Sequence, residues 1–255
     1  MTTHPILRAG AVAVGSSAAL ITARHVVPAV TAFGPLRRAM IPALAGIGAP
    51  DHVAVTFDDG PDPRSTPQFL SLLAREGISA TFFLLGEMAS KSPALTAEIA
   101  AAGHEVAVHG WAHRLLLKRG LRTVTDDIGR ARDLIGELTG TPPRWYRPPY
   151  GVLTRPAVLT AAKLGLTPVL WTCWGRDWTA RATPDSVLVH IQRRLRGGGT
   201  VLLHDSDCTS APGAWQSALG AIPTLVGRLR EMDLQIGPLR EHGVTSGAEP
   251  VTFRL

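Results

Sequence analysis

From Asp51 onward the chain alternates short apolar runs with longer amphipathic stretches, and this alternation limits its fold more than any other feature. A short β-rich run that is apolar throughout must bury both faces, so it belongs inside a sheet covered by helices. Repeated units of this kind build a mostly parallel sheet or barrel. Strands are predicted at 53–57, 80–85, 105–109, 144–146, 167–172, 200–204 and 234–236, and helices at 66–76, 93–102, 124–139, 155–164, 184–196 and 214–231. Pro93 and Pro184 suit first-turn positions, and Gly77, Gly103, Gly140 and Gly165 follow helical patterns where left-handed caps belong. About seven parallel strands in an α/β chain point to a closed or nearly closed (β/α) barrel, and 255 residues with 45% apolar content suffice for one such domain.

The domain is expected over residues 51–239, with residues 1–50 as a leader or membrane-associated segment and 240–255 as an irregular tail. No acidic residue precedes Asp51, and residues 9–23 form an apolar stretch of signal-peptide length ending at Ile21-Thr22-Ala23. A cleaved signal, a weak anchor and a cytoplasmic packing helix all fit this segment, with export the favoured reading. The net charge of +6 comes mainly from dispersed arginines. No basic run interleaved with aromatics marks a nucleic-acid groove, so attraction to an anionic wall polymer or membrane surface is set against an ordinary solvated basic face. Cys173 and Cys208, the only two cysteines, suit free thiols better than a disulfide framework.

The chemistry gathers at the C-terminal ends of the predicted strands, which form one face of a barrel. Thr56-Phe57-Asp58-Asp59-Gly60-Pro61 ends the first strand with two adjacent carboxylates. Such a pair must share a cation or take up a proton, although Asp-Asp-Gly-Pro is also ordinary turn chemistry. His109-Gly110-Trp111-Ala112-His113 sets two imidazoles four residues apart, and Asp59 can complete a three-ligand set for a divalent metal, with Zn²⁺ preferred. A chance pairing of one core and one surface histidine is the competing reading. Arg147-Pro148-Pro149-Tyr150-Gly151 fixes a rigid turn whose arginine could hold a carboxylate ionised or form a structural salt bridge. Asp177, between Trp174 and Trp178, could orient His204 and raise its pKa, giving a general acid near neutral pH.

These segments, in this order, resemble the five motifs of the polysaccharide deacetylases, the family that includes chitooligosaccharide deacetylases and the fourth family of carbohydrate esterases. The resemblance implies a distorted (β/α) barrel and a hydrolase that removes acetyl groups from N-acetylated sugars. It implies Asp59, His109 and His113 as metal ligands, Asp58 as general base kept ionised by Arg147, His204 as the acid that protonates the departing amine, and a backbone N–H near Tyr150 at the oxyanion. Two positions depart from the family pattern: Gly110 stands where a Ser or Thr usually follows the first histidine, and Trp174 where an Asp commonly precedes the Asp-Trp pair. Tyr150, Trp111, Trp174 and Trp178 are the candidate substrate contacts, with a sugar-stacking platform assigned to Trp111 or Trp174. The expected partner is an N-acetylated glycan, peptidoglycan or a chitooligosaccharide, and the expected location is the cell envelope or beyond it, with the cytoplasm as the alternative. A small-molecule amidase or esterase and a glycan-binding protein without catalysis are the competing functions.

Overall fold

The structure, a computed structural model, describes residues 32–244. Among these, eight strands form one parallel sheet: β1 (His52–Asp58), β2 (Thr81–Leu84), β3 (Glu105–Val108), β4 (Trp145–Tyr146), β5 (Thr167–Pro168), β6 (Cys173–Trp174), β7 (Thr200–His204) and β8 (Gln235–Gly237). The order is β5-β4-β3-β2-β1-β7-β6. β1 is the axis of the sheet. β7 runs along one edge of it from Ala54 to Asp58, while β8 takes the other edge at His52–Ala54 and β2 takes that edge at Thr56–Asp58.

The single strand expected over 167–172 is two short strands. β5 pairs with β4 and β6 pairs with β7, so residues 169–172 cross the gap in which the barrel would otherwise close. The result is a curled, distorted barrel, completed there by the chain itself. Leu170 N–H donates to Leu44 O across this gap, and Thr200 Oγ1 donates to Gly46 O. The apolar patch at 41–49, grouped above with the leader, is thus built onto the barrel, and Leu44 and Ala45 are buried. The chain beyond Gly237 is also anchored, as far as the buried Val244. Residues 9–23 and 245–255 lie outside the described residues.

Helices α1 (Gly34–Met40), α2 (Thr66–Glu76), α3 (Gly86–Lys91), α4 (Pro93–Ala101), α5 (Leu121–Thr139), α6 (Arg155–Lys163), α7 (Pro184–Gln192) and α8 (Trp215–Glu231) cover the outside. Six of them follow the sequence pattern, whereas α1 and α3 were not expected; both are too short to show a helical period. α5 buries Val124, Ile128, Ala131 and Ile135, one stripe along its length, and ends at Gly140 in the left-handed conformation. None of the described helices is long and apolar enough to cross a membrane.

Strand alternation divides the interior in two. Val53, Val55 and Phe57 of β1 face the helices in the larger core, while Ala54 lies in a small inner core with Phe83, Ala107, Trp145 and Val169. Thr56 and Asp58 share the inward face with Ala54. That alternation delivers a carboxylate to the top of the barrel lumen.

Candidate active site

Asp58 is buried at the end of β1, where Arg147 Nη1 donates to its Oδ1 at 2.6 Å and to Thr56 Oγ1 at 2.9 Å. Arg147 is fixed on every side. Its Nη2 donates to Leu170 O at 2.9 Å, its Nε reaches Val169 O at 3.4 Å, and its Cζ sits 3.9 Å from the Phe83 ring centroid. Burial depresses the pKa of this guanidinium and the Asp58 charge restores part of it. A buried pair of this kind is stable only while both members are present.

Successive strand residues point to opposite faces, yet Asp58 and Asp59 both approach His109 Nε2, at 3.7 Å from Asp58 Oδ2 and 3.5 Å from Asp59 Oδ1. The backbone of Asp59 explains this. With φ at 81° it leaves the extended conformation, which turns its carboxylate back toward the lumen. Thr209 Oγ1 donates to Asp59 Oδ2, while Asp59 Oδ1 is buried without a hydrogen-bond partner among the described residues.

His109 Nδ1 lies 2.8 Å from the Arg147 carbonyl, so Nδ1 carries the proton and Nε2 presents its lone pair to Asp59. Burial holds this imidazole neutral, its pKa pushed down to about 3 against the pull of Asp59. His113 Nε2 stands 3.8 Å from the same Asp59 oxygen. One ligand atom from each of Asp59, His109 and His113 lies within 4.8 Å of the other two, and Asp59 Oδ1 has no hydrogen-bond partner among the described residues. The donor set fits a divalent cation.

Opposite this cluster, His204 N–H donates to Asp177 Oδ2 at 2.7 Å, and His204 Nδ1 donates to Asp177 Oδ1 at 3.1 Å. Burial alone would depress the His204 pKa. The Asp177 carboxylate more than reverses this, with Asp59 and Asp58 adding to it, and the imidazole is pushed up to about 10.

A cavity of about 260 Å³ joins the two halves, lined by Asp58, His109, His113, Tyr150, Trp174 and His204 among others. Tyr150, at φ 60°, turns its ring against His113 with centroids 4.3 Å apart, and Trp178 packs edge-on to His204. Trp174 stands at the rim, 41% exposed. Trp111 does not line the cavity. It lies half-buried under Arg130, whose Cζ is 3.4 Å from the ring centroid, and the cavity wall has Trp171 instead, stacked on Trp174 with ring centroids 6.0 Å apart.

Three further polar residues were missed by sequence reading. Asp127 on α5 accepts the Trp111 N–H at 2.9 Å, and it supplies the brace that a hydroxyl at position 110 would otherwise give. Gly110 has φ 88°, and a Cβ there would lie 2.7 Å from Asp127 Oδ2. Asp205, pushed up to about 7 by burial and then by Asp59, accepts from Gly60 N–H and Thr66 Oγ1 and so ties the Asp59 turn to α2. Thr209 is the third. Only Asp205, next to His204, had a local signal; the other two act across 16 and 150 residues of sequence. Both cysteines are free, and Cys208 Sγ contacts Asp59 O.

The match to the family described as Polysaccharide deacetylase spans residues 46–169. The chain is 35% identical over 195 residues to the chitooligosaccharide deacetylase of Bradyrhizobium sp. (strain ANU 289), across 73% of this chain and 88% of that one. Among solved structures it is similar to the Bc1960 peptidoglycan N-acetylglucosamine deacetylase, with TM-score 0.72 and 28% identity over 78% of this chain and 92% of that one. It is also similar to a mutant of BA3943, a CE4 family pseudoenzyme with restored enzymatic activity, with TM-score 0.69 and 26% identity over 75% and 67% of the two chains. The barrel is therefore compatible with loss of activity, and the residues in the cavity must carry the functional argument.

Proposed function

The chain belongs to the polysaccharide deacetylase family, and from that premise we propose that it is a metal-dependent hydrolase removing N-acetyl groups from an N-acetylglucosamine-containing glycan, with release of acetate. The observation that carries this reading is the convergence of the ligand atoms of Asp59, His109 and His113 at the wall of a cavity that both histidines line together with Asp58 and His204. Binding alone needs no such combination of ligands, base and acid.

Asp59, His109 and His113 would hold the cation, Zn²⁺ by the character of the donors, which supplies Lewis-acid polarisation of the acetyl carbonyl and acidification of water. Asp58, ion-paired with Arg147, takes the proton from the attacking water as the new C–O bond forms. His204 uses Nδ1 on Asp177, which leaves Nε2 to give its proton to the sugar nitrogen as the C–N bond breaks. A backbone N–H near Tyr150 is assigned to the oxyanion. Trp174 and Trp178 offer indole faces to the sugar. The exposed rim at Trp174 favours a ligand that continues beyond the cavity over a small enclosed amide. Export to the envelope, resting on the apolar stretch at 9–23, completes the proposal; recovery of the intact chain in the cytosolic fraction alone would overturn that part.

The test is acetate release from chitooligosaccharides and from peptidoglycan by the purified full chain, with chelator-treated and zinc-restored samples alongside. Release that stops with chelator and returns with metal is expected. No release from folded, metal-loaded protein would move the assignment to another amide or ester, or to binding alone.

A further inference from the structure

A second recess adjoins the catalytic cavity. It measures about 160 Å³, is lined by Gly34, Arg37, Arg38, Trp171, Trp174 and Arg194 among others, and shares Trp171 and Trp174 with the larger cavity. The stacked pair of indoles is thus a partition with the reacting centre on one side and arginines on the other.

Arg38, Arg194 and the neighbouring Arg196 have no acidic partner among the described residues. Arg37 is buried and donates to Trp171 O at 2.7 Å, which holds the wall in place. Arg38 is half-buried, and Arg194 and Arg196 are exposed. Surface arginines elsewhere, such as Arg64, Arg132 and Arg230, do have acidic partners. Burial lowers the Arg38 pKa first, and repulsion from Arg194 and Arg196 lowers it further. Unpaired guanidinium groups held beside one another at the edge of a groove favour an anion, and their planar forks match the oxygens of a carboxylate or phosphate.

We propose that this recess is a subsite for an anionic substituent, carboxylate or phosphate, carried by the glycan next to the sugar that is deacetylated. The inference rests on the deacetylase reading of the main cavity and narrows it: the preferred substrate is an anionic N-acetylated glycan, and a neutral chitooligosaccharide leaves the arginines unused. Trp174 lies under the bond between the two sugar units, and Arg38 and Arg194 receive the charge.

The experiment compares the full-length wild type with Arg38→Glu/Arg194→Glu and Arg38→Lys/Arg194→Lys. Substrates are a neutral chitooligosaccharide, peptidoglycan fragments with free carboxylates, the same fragments with those carboxylates amidated, and a phosphorylated N-acetylglucosamine oligomer. The charge reversal is expected to raise KM for the charged substrates by roughly tenfold, which corresponds to about 1.4 kcal/mol, with kcat and the neutral substrate little changed. The lysine variant should retain most of the preference, and added salt should erode it. Carboxylate and phosphate arms decide which source is preferred. Equal kcat/KM for free and amidated fragments, together with no preference for the phosphorylated oligomer over the neutral one, would overturn the inference, as would a reversal that weakens neutral and charged substrates alike. Calorimetric titration of the same fragments into chelator-treated wild type reads affinity without turnover. A preference for charge there, with no acetate released by metal-loaded protein, would sink the deacetylase reading and leave the subsite; equal affinities for the free fragments, the amidated fragments and the phosphorylated and neutral oligomers would sink the subsite whatever the activity. Loss of binding to anionic phospholipid vesicles in the reversal variant, with no change toward any glycan, would assign the arginines to a membrane instead and also overturn it.

Discussion

Asp58 and His204 are register partners at the C-terminal ends of the neighbouring parallel strands β1 and β7. Side chains of paired residues stand on the same face of a sheet, so the carboxylate and the imidazole reach one cavity from the same height. Arg147 then fixes one and Asp177 the other. The proposed base and acid are thereby held by separate ion pairs, and each can be tested without removing the other.

Substitution of the acid should act on chemistry with little effect on metal content. His204→Ala is expected to lose about 10²- to 10⁴-fold in kcat while binding one equivalent of zinc, because His204 is not among the converging ligand atoms. His113→Ala should lose both. Acetate release and metal analysis on the same preparations separate the two outcomes; unchanged metal affinity in His113→Ala would remove that residue from the ligand set.

The raised pKa of His204 makes stability depend on pH in a definite direction. Its folded value of about 10 lies above the ordinary histidine value of 6.5, so the Asp177 pair contributes fully below about 6.5 and its contribution is lost as pH rises through about 10. Urea midpoints of wild type and Asp177→Asn should therefore differ most at pH 6 and converge above pH 10. The alkaline limb of the kcat profile should move toward neutrality in Asp177→Asn. A constant difference between the two proteins from pH 6 to 11 would contradict the pairing.

Gly110 and Asp127 should be coupled. Gly110→Ser places a side chain at φ 88° and a Cβ 2.7 Å from Asp127 Oδ2, which should destabilise the fold by about 1–3 kcal/mol and weaken zinc binding. Asp127→Ala removes the acceptor of Trp111 N–H and should weaken zinc binding by roughly tenfold or more through the loop that carries His113. In the double variant the clash is gone and the serine hydroxyl can replace the carboxylate, so the two effects should sum to less than their separate values. Denaturant unfolding and competition with a chromogenic chelator measure both quantities. Strict additivity would show that the glycine and the aspartate are independent.

Removing Arg147 should be more harmful than its distance from solvent suggests. Arg147→Met leaves Asp58 buried and unpaired and frees two backbone carbonyls, at an expected cost of about 3–5 kcal/mol. Asp58→Asn keeps a hydrogen-bonding partner for the guanidinium and should be less damaging to stability while abolishing most activity. Thermal unfolding read beside acetate release checks the order of the two; greater stability loss in Asp58→Asn would overturn it.

Much of this architecture is legible in the chain because it depends on local period. β1 is buried along its length around an apolar run, α5 carries a stripe at helical spacing, and Gly77 and Gly140 stop their helices at left-handed φ values of 65° and 67°. The barrel follows from these repeats, and the strand ends mark Asp58, Asp59, His109, Arg147, Asp177 and His204 as neighbours before any contact is known. What period cannot give is direction at a break in the pattern. A regular strand would send Asp58 and Asp59 apart; the turned backbone at Asp59 brings both to His109.

Lateral packing decided the rest. Trp111 and Trp171 are alike as residue types, yet α5 offers Arg130 to cover one, while the crossing from β5 to β6 carries the other into the cavity wall. Asp127 and Thr209 reach the site from elements whose sequences give no sign of it, because their partners lie on other parts of the chain. Which side chains can bind a metal and move protons is legible in the chain, since their chemistry and their places at strand ends are local properties. Which ligand atoms face one another, which indole meets solvent and where Arg38 and Arg194 lie come from the folded packing, because these depend on distances between segments that share no local pattern.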